Sequence, residues 1–228
     1  MLLFFMLLLA TDTSGKHGSI ALAQCGPADN CDIIEVVPLA GGTFSAQLVP
    51  QIAALLAKHG FSKHDIGAFA VVSGPGSFTG LRVGLAAIKA LAEVLDKPIA
   101  AVSLLEAVAA AHQAEGKVLA ALDAGRGEIY AGEYDVGKGI TAFGERLLTR
   151  DEFLSAAKAR LVISPDQAVV EAARVAGFQV QTTEHPRSDA IARLGWQKIS
   201  SGQTVSTEEL EANYIRRSDA EIFVKSSS

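Results

Sequence analysis

Two stretches of this chain follow the same order of features, and this repetition limits the fold more than any other property of the sequence. Residues 7–23 (LLLATDTSGKHGSIALA) and 117–133 (KVLAALDAGRGEIYAGE) each contain an apolar strand, an aspartate at its end, small turn residues and a returning strand. Asp12 and Asp123 occupy the same place in the two stretches. Duplication of one α/β unit is the economical interpretation. The alternative is that any two buried hairpins look alike.

The segments that follow each stretch predict the rest of the two copies. Each copy continues with a third strand and then alternates helices with strands, a pattern typical of an α/β protein with mixed sheets. We therefore predict two lobes, residues 1–102 and 103–228, each with a mixed sheet flanked by helices, and we expect the last segment to pack back on the first lobe. The predicted strands are 18–24, 31–39, 68–74, 98–103, 140–148, 160–165 and 178–183, and the predicted helices are 45–59, 79–96, 150–158 and 167–177.

The apolar run MLLFFMLLLA at the start of the chain resembles a membrane or export signal at first sight. A spanning helix needs about 20 apolar residues, roughly twice the length of this run. The run also lacks the Lys or Arg that begins a secretory signal. We interpret it as a central strand buried on both faces, after a residue or two of loose end, and we expect no membrane association.

The charge balance excludes a free-standing nucleic-acid-binding protein. The formal net charge is −5 at pH 7, whereas phosphate contacts need clustered Lys and Arg. Any RNA would therefore be held mainly by a partner. The two cysteines, Cys25 and Cys31, are too few for a disulfide framework or a four-cysteine zinc site. A reduced, cytoplasmic chain is expected.

The aspartates at the strand ends suggest a site for a nucleotide phosphate. In such a hairpin, backbone N–H groups face the phosphate oxygens and the carboxylate reaches Mg²⁺ through water. The alternative is an ordinary turn, because the same residues close many hairpins. As a pair in a duplicated fold, the loops point to the superfamily of actin, sugar kinases and heat-shock ATPases. The candidate residues are Asp12, Thr13, Ser14 and Gly15 in the first loop, and Asp123 and Gly125 in the second.

A glycine-rich turn precedes the second predicted helix, but it matches no phosphate-binding signature. A P-loop needs Lys and Ser or Thr directly after its last glycine, whereas Leu81 and Arg82 follow Gly80. A dinucleotide fingerprint has two residues between its last two glycines, and here there are three. We therefore predict that the turn starts a helix, which Ser77 or Thr79 caps. Its residues are Gly74, Pro75, Gly76, Ser77, Thr79 and Gly80.

Other catalytic signatures are missing from the sequence. His59 and His64 are five residues apart, so a helix would not place them on one face as a metal-binding His-Glu-x-x-His motif does. The sequence contains no Gly-x-Ser-x-Gly nucleophile elbow. We therefore predict neither a metal site nor catalytic residues.

Two predicted helices, 45–59 and 79–96, are apolar almost all round. One sheet face covers about half of a helix, and each large apolar side chain left in water forgoes about 1.5 to 3 kcal/mol. We therefore predict that a partner packs on the outside of both helices. The alternative is coverage by the chain's own second half. The predicted interface residues are Leu48, Ile52, Leu55, Leu56, Gly84, Leu85 and Ile88.

Four segments together resemble the bacterial TsaB (YeaZ) family in order and spacing. They are LATDTSG, SGPGSFTGLRVGLAAIKALAE, LDAGRGEIYAGEYD and NYIRRSDAE. The resemblance implies a degenerate, duplicated actin-like ATPase (ASKHA) fold. It also implies a non-catalytic subunit that helps the paralogue TsaD to place a threonylcarbamoyl group on the adenosine next to the tRNA anticodon. The chain departs from the family at Phe44, where a His is frequent, and at Gly125, where an Arg is frequent.

The resemblance also implies partners. The two apolar helices would contact TsaD, or a second copy of the chain when TsaD is absent, and a TsaE-type ATPase would join a larger complex. tRNA would be bound only through the complex. No cofactor is required, although weak binding of ATP or ADP with Mg²⁺, in the inter-lobe cleft or at a subunit interface, stays open. The alternative function is an autonomous small-molecule kinase or ATPase of the same superfamily, or a glycoprotease-like peptidase.

The predicted interface has a direct test in charged substitutions. Ile52→Asp or Leu85→Glu should abolish association with the paralogue and with a second copy, and should leave a folded monomer. Asp12→Ala should leave assembly nearly intact.

Overall fold

The computed structural model describes residues 5–27, 30–112, 115–137, 139–158 and 160–216. The chain forms two compact units, one of Met1–Ser103 with Pro186–Asn213 and the other of Leu104–His185 with Tyr214–Ser228. Residues 186–213 thus belong to the first unit, whereas the division at residue 102 assigns them to the second lobe. The expected loose end at residues 1 and 2 and most of the NYIRRSDAE motif lie outside the described residues.

Strands and helices alternate along the described residues much as the sequence pattern predicts. In chain order they are β1 (Met6–Asp12), β2 (His17–Cys25), β3 (Cys31–Ala40), α1 (Phe44–Lys58), a 3₁₀ turn (Lys63–Asp65), β4 (Ile66–Gly74), α2 (Phe78–Leu95), β5 (Ile99–Ser103), α3 (Leu104–Ala110), β6 (Gly116–Gly125), β7 (Glu128–Val136), β8 (Ile140–Thr149), α4 (Arg150–Ala156), β9 (Leu161–Ser164), α5 (Gln167–Val175), β10 (Val180–Thr182) and α6 (Ser188–Ser200).

The two units contain five-stranded sheets with the same topology. In the first unit the strand order is β3-β2-β1-β4-β5, and in the second it is β8-β7-β6-β9-β10. In each sheet the first three strands along the chain pair antiparallel with one another. The fourth strand then pairs parallel with the first, and the fifth pairs parallel with the fourth. Asp12 pairs with Ser19, and Asp123 pairs with Ile129, in the equivalent hairpins. The shared topology confirms the predicted duplication.

Helices cover both faces of the sheet in the first unit. Gly18 lies against the ring of Phe44 at the start of α1, and the next residue, Ser19, hydrogen-bonds to Ser188 at the start of α6. Because neighbouring residues of a strand point to opposite faces, α1 and α6 lie on opposite sides of the sheet. α2 packs beside α1 and on β4 and β1, and α6 crosses all five strands.

The second unit has an apolar core on each face of its sheet. Alternate residues of β6 point to the two sides, as the period of a strand requires. Leu119 and Ala121 join Phe153 of α4 and Val169 of α5 in one core. The opposite face packs on α3, in a core that contains Leu105, Val108, Val118, Ala120, Leu122, Tyr134 and Ile163.

Two helices, α3 and α6, are absent from the sequence-based prediction. α3 follows β5 of the first sheet but belongs to the second unit, whereas α6 follows β10 of the second sheet and packs on the first. α6 buries Ser188, Ile191, Ala192, Leu194 and Gly195. Several of these residues are small or polar, so its apolar period is weak. The Cβ of an alanine at position 195 would come within 2.4 Å of Cβ of Ala70, so glycine allows the close approach of α6 to the sheet.

Candidate functional site

The first aspartate loop begins where β1 ends. Asp12 is only 6% exposed, and Thr13 and Ser14 are buried as well, whereas Gly15 is exposed. The Oδ1 atom of Asp12 accepts hydrogen bonds from the backbone N–H of Ser14 at 2.8 Å and from its hydroxyl at 2.6 Å. The loop therefore uses the aspartate to hold its own turn.

The glycine-rich turn joins β4 to α2. Gly74 ends the strand, the Gly74–Pro75 peptide bond is cis, and Pro75 is buried. The side chain of Ser77 caps α2 by accepting a hydrogen bond from the N–H of Gly80. Helix α2 begins at Phe78 and contains Thr79 in its exposed first turn. The structure therefore places a helix start in the turn, with Ser77 as the N-cap.

The first loop lies directly on the glycine-rich turn. The N–H of Ser77 donates to the carbonyl of Ser14 at 2.6 Å, and the Thr13 hydroxyl donates to the carbonyl of Gly80 at 2.7 Å. A Cβ atom would meet the Thr13 carbonyl oxygen at 2.0 Å from position 80, and the Ser14 carbonyl oxygen at 2.5 Å from position 76. At position 84 a Cβ would meet the Thr13 hydroxyl at 2.4 Å. Three glycines spaced by four residues thus form a seat for the loop.

This seat conflicts with a phosphate-binding role for the first loop. Both hydroxyls of the loop have partners within the chain, Thr13 with Gly80 and Ser14 with Asp12. Both side chains are 3% exposed. The N–H of Ser14 is engaged by the Asp12 carboxylate as well. These hydroxyl, N–H and carboxylate groups are therefore committed to the fold, and they do not fit a nucleotide phosphate in this conformation.

Asp12→Ala is expected to destabilise the first unit by about 2 kcal/mol. The change leaves a buried N–H and a buried hydroxyl of Ser14 without their acceptor, and an unsatisfied buried group costs about 1 to 3 kcal/mol. Urea unfolding followed by the fluorescence of Trp196, the single tryptophan of the chain, would measure the loss. Ser14→Ala removes only the hydroxyl bond and should cost about 1 kcal/mol. Equal losses for both variants would contradict this account.

The second aspartate loop shares the local geometry of the first but is more exposed. The Oδ1 atom of Asp123 accepts the N–H of Gly125, two residues on, at 2.8 Å, as Asp12 does with Ser14. Asp123 itself is exposed, and its N–H donates to Oδ2 of Asp166 at 2.7 Å. Gly125 has a φ of +71°, in the left-handed region that favours glycine. This position gives a conformational reason for glycine where the family often has arginine.

The side chain of Arg216 contacts the turn of the second hairpin. It donates to the carboxylate of Glu128 and, at 3.4 Å, to the carbonyl of Gly125. Its guanidinium lies 5.9 Å from the ring centre of Tyr130. Burial raises the pKa of the Tyr130 phenol above its usual value, and the positive charge of Arg216 opposes that shift. The arginine that the late NYIRR segment supplies thus stabilises the turn after β6.

Sequence reasoning missed the contact between Ser19 and Ser188. The N–H of Ser188 donates to the Ser19 hydroxyl at 2.9 Å, and the Ser188 hydroxyl donates to the Ser19 carbonyl at 2.6 Å. This contact attaches the start of α6 to the strand partner of Asp12. A serine before an apolar segment is a typical helix-start signal, and it could have indicated α6.

The predicted interface residues are not on the surface of the chain. Leu48, Ile52, Leu55, Leu56, Leu85 and Ile88 are at most 6% exposed, and Gly84 is buried. They pack within their own unit, because α1 lies on β2 and β3 while α2 lies on β4 and β1. This corrects the choice of interface residues.

The exposed sides of α1 and α2 carry mostly small apolar residues, and we call this surface the outer α1–α2 face. Exposing an alanine side chain to water costs little free energy, because the side chain has little apolar area. The sheet therefore covers the large side chains of both helices, contrary to the expectation that it could not. Val49 is 54% and Val94 is 73% exposed. The residues of the face are Ala46, Val49, Ala53, Ala57, Ala86, Ala90 and Val94.

The described residues offer neither a metal-binding cluster nor a membrane-spanning helix. No three His, Cys, Asp or Glu side chains in the described ranges are grouped so that they could hold a metal ion. Within the same part of the chain, no helix combines the length and apolar character needed to cross a membrane.

Comparison with known proteins identifies relatives over most of the length of the chain. A sequence profile described as TsaD, tRNA N6-adenosine threonylcarbamoyltransferase, matches residues 36–200. The tRNA threonylcarbamoyladenosine biosynthesis protein TsaB of Haemophilus influenzae is 36% identical over 230 residues, which cover 92% of this chain and 93% of that protein. The tRNA N6-adenosine threonylcarbamoyltransferase of Novosphingobium aromaticivorans is 46% identical over 72 residues, which cover 31% of this chain and 21% of that enzyme.

Solved structures agree with the fold. YeaZ from Pseudomonas aeruginosa superposes with a TM-score of 0.72 at 23% identity, over 92% of this chain and 99% of that one. Together with the two matching sheets and the TsaD profile, this likeness confirms the duplicated actin-like fold predicted from the sequence. The identity to the Haemophilus protein over nearly the whole of both chains shows that this chain belongs to the TsaB family of tRNA threonylcarbamoyladenosine biosynthesis proteins.

Proposed function

We propose that the chain is a non-catalytic subunit of the machinery that makes threonylcarbamoyladenosine in tRNA, and that it binds and supports the paralogue TsaD. The observation that carries the proposal is the match to a TsaB protein at 36% identity, which covers 92% of this chain and 93% of that protein. The match of a TsaD profile to residues 36–200 supports a paralogous relation between the two subunits. We also propose that the protein acts in the cytoplasm, where tRNA is modified.

The first loop supports an accessory role. Its hydroxyls hold the loop on the glycine-rich turn through Thr13 and Ser14, and its carboxylate, from Asp12, holds the turn itself. A phosphate-binding loop uses backbone N–H groups and a carboxylate that reaches Mg²⁺ through water, and here the N–H of Ser14 and the Asp12 carboxylate are bonded to each other. Because they stabilise the fold instead, nucleotide binding is not part of the proposal.

The outer α1–α2 face is the proposed binding surface for TsaD, and for a second copy of the chain when TsaD is absent. Its small residues allow helices of a partner to approach closely, while Val49 and Val94 offer exposed apolar side chains. Two helices of 15 and 18 residues can supply the about 800 Å² per partner that a specific interface buries. A TsaE-type ATPase would join the larger complex. The net charge of −5 favours tRNA binding through the complex rather than by this chain alone.

Co-purification from the protein's own host tests the proposal. A tagged chain should bring down TsaD, and Val49→Asp should weaken the complex about a hundredfold or more, because burying an unpaired carboxylate costs several kcal/mol. Val175→Asp makes the same change on an exposed helical valine of the second unit, which is 73% exposed, and it should bind TsaD like the unmodified chain. Affinity can be measured by calorimetry with purified TsaD.

Three outcomes would count against the proposal. If the tagged chain did not retain TsaD, TsaD would not be its partner. Equal binding by the Val49 and Val175 variants would show that the interface lies elsewhere on the chain. ATP hydrolysis or peptide cleavage at an enzyme-like rate by the purified chain would favour the alternative of an autonomous kinase or peptidase.

A further inference from the structure

The two cysteines of the chain face each other across the β2–β3 hairpin. Cys25 is the last residue of β2, Cys31 is the first residue of β3, and the two are direct partners in the antiparallel register. The irregularity of this strand pair lies between Leu22 and Ala23, so the register next to the cysteines is regular. The sequence alone shows two cysteines six positions apart, and the hairpin is what brings them together.

The hydrogen-bond pattern places the cysteines at the kind of site where a cross-strand disulfide fits. The N–H of Gly26 donates to the carbonyl of Asn30 at 2.8 Å, so this next pair is the hydrogen-bonded one. Because bonded and non-bonded pairs alternate, Cys25 and Cys31 form a non-hydrogen-bonded pair, whose Cα atoms lie about 4.5 Å apart. Disulfides span Cα distances of about 4.4 to 6.8 Å.

The two thiols differ in exposure. Cys25 is fully buried, and Cys31 is half-buried. A small oxidant can therefore reach the sulfur of Cys31, and the sulfur of Cys25 is shielded from solvent on the same face of the sheet. An accessible cysteine next to a second, resolving cysteine is the arrangement often found in redox-sensing proteins.

We propose that Cys25 and Cys31 are a reversible thiol-oxidation site, which closes to an intramolecular disulfide at the end of the β2–β3 hairpin. The oxidant is a low-molecular-weight disulfide of the glutathione class. The Cys31 thiolate attacks one of its sulfurs, forms a mixed disulfide and releases one thiol. The Cys25 thiolate then attacks Sγ of Cys31 and expels the second thiol. Two protein thiols lose two electrons and two protons in all, and the oxidant is reduced to two thiols.

The hairpin end is linked to α6, which gives the oxidation a structural consequence. The indole N–H of Trp196 donates to the carbonyl of Gly26 at 3.0 Å, and Gly26 follows Cys25 directly. The ring of Phe5 also lies close to Gly26, where a Cβ would meet it at 2.9 Å. A disulfide would stiffen the position on which α6 rests, and the single tryptophan of the chain reports on it.

Oxidised glutathione added to the reduced, full-length protein tests the proposal. We expect both thiols to disappear in a thiol titration, the mass to fall by about 2 Da without a glutathione adduct, and peptide mapping to recover Cys25 linked to Cys31. The fluorescence of Trp196 should change and should return with dithiothreitol. Closing a seven-residue loop should raise the melting temperature by about 5 °C.

Serine variants keep the test decisive. Cys25→Ser should stop at a glutathione adduct on Cys31, whereas Cys31→Ser should resist the reagent because the remaining thiol is buried. Neither variant should show the rise in melting temperature. Retention of both thiols after oxidation would overturn the proposal, and so would a stable glutathione adduct on the unmodified chain or disulfide-linked dimers in place of the internal bond.

Discussion

Gly80→Ala is expected to destabilise the first unit by about 3 kcal/mol, although alanine is the better helix former by about 1 kcal/mol. The new Cβ would lie 2.0 Å from the carbonyl oxygen of Thr13, and this oxygen belongs to the backbone of a buried loop that cannot rotate away. Either the loop or α2 must shift, and the hydrogen bond from Thr13 to Gly80 is strained with it. Urea unfolding followed by Trp196 fluorescence measures the change, since α6 belongs to the same unit.

Gly15→Ala is the matched control for this prediction. It adds the same methyl group to the same loop, but at an exposed position where the nearest atom, the carbonyl oxygen of His17, is 3.4 Å away. Its effect should lie within about 0.5 kcal/mol. If Gly80→Ala proved as stable as Gly15→Ala, the loop would not be seated on the glycine-rich turn.

Ile52→Asp is expected to unfold the first unit rather than to release a folded monomer. Ile52 is 4% exposed within its own unit, and placing a carboxylate there costs about 4 kcal/mol or more, a large part of the stability of a domain. Circular dichroism and Trp196 fluorescence should show loss of structure at room temperature. The same reasoning applies to Leu85→Glu, because Leu85 is 6% exposed.

Val49→Asp separates association from folding. Val49 lies three residues before Ile52 on α1, and its side chain is 54% exposed, so the carboxylate stays in water when the chain is alone. This variant should keep the melting temperature of the unmodified chain within about 2 °C. A folded Ile52→Asp variant or an unfolded Val49→Asp variant would show that α1 faces the sheet with a different side.

The helices themselves could be predicted from the sequence, but their buried side could not. The predicted helix at 45–59 is observed at Phe44–Lys58, and the helix at 79–96 is observed at Phe78–Leu95. Both helices are apolar almost all round when small residues such as alanine are included. In the structure most of the large side chains pack on the sheet, and most of the alanines face outward, although Ala92 is buried and Val94 is exposed. Side-chain size therefore indicates the buried side of these helices better than apolar character alone.

The local conformation of the glycine-rich turn could also be predicted from the sequence, but the contact that its glycines make could not. Pro75, Gly76 and Ser77 predict a turn and a helix cap, because these residue types favour such backbone conformations locally. What the glycines at positions 76, 80 and 84 contact lies more than sixty residues away in the sequence, in the loop of Thr13 and Ser14. Local propensity carries no information about that distant contact.

The duplicated α/β organisation, the order of most strands and helices, and the family could all be predicted from the sequence alone. These properties follow from short-range patterns: apolar periodicity, turn residues, and two aspartates at equivalent strand ends. Knowledge of the fold was needed to assign α3 to the second unit and α6 to the first, and to show that α1 and α2 bury their large side chains on their own sheet. Each of these depends on which surfaces meet after the chain folds back, and packing between distant segments leaves little trace in the local order of residues.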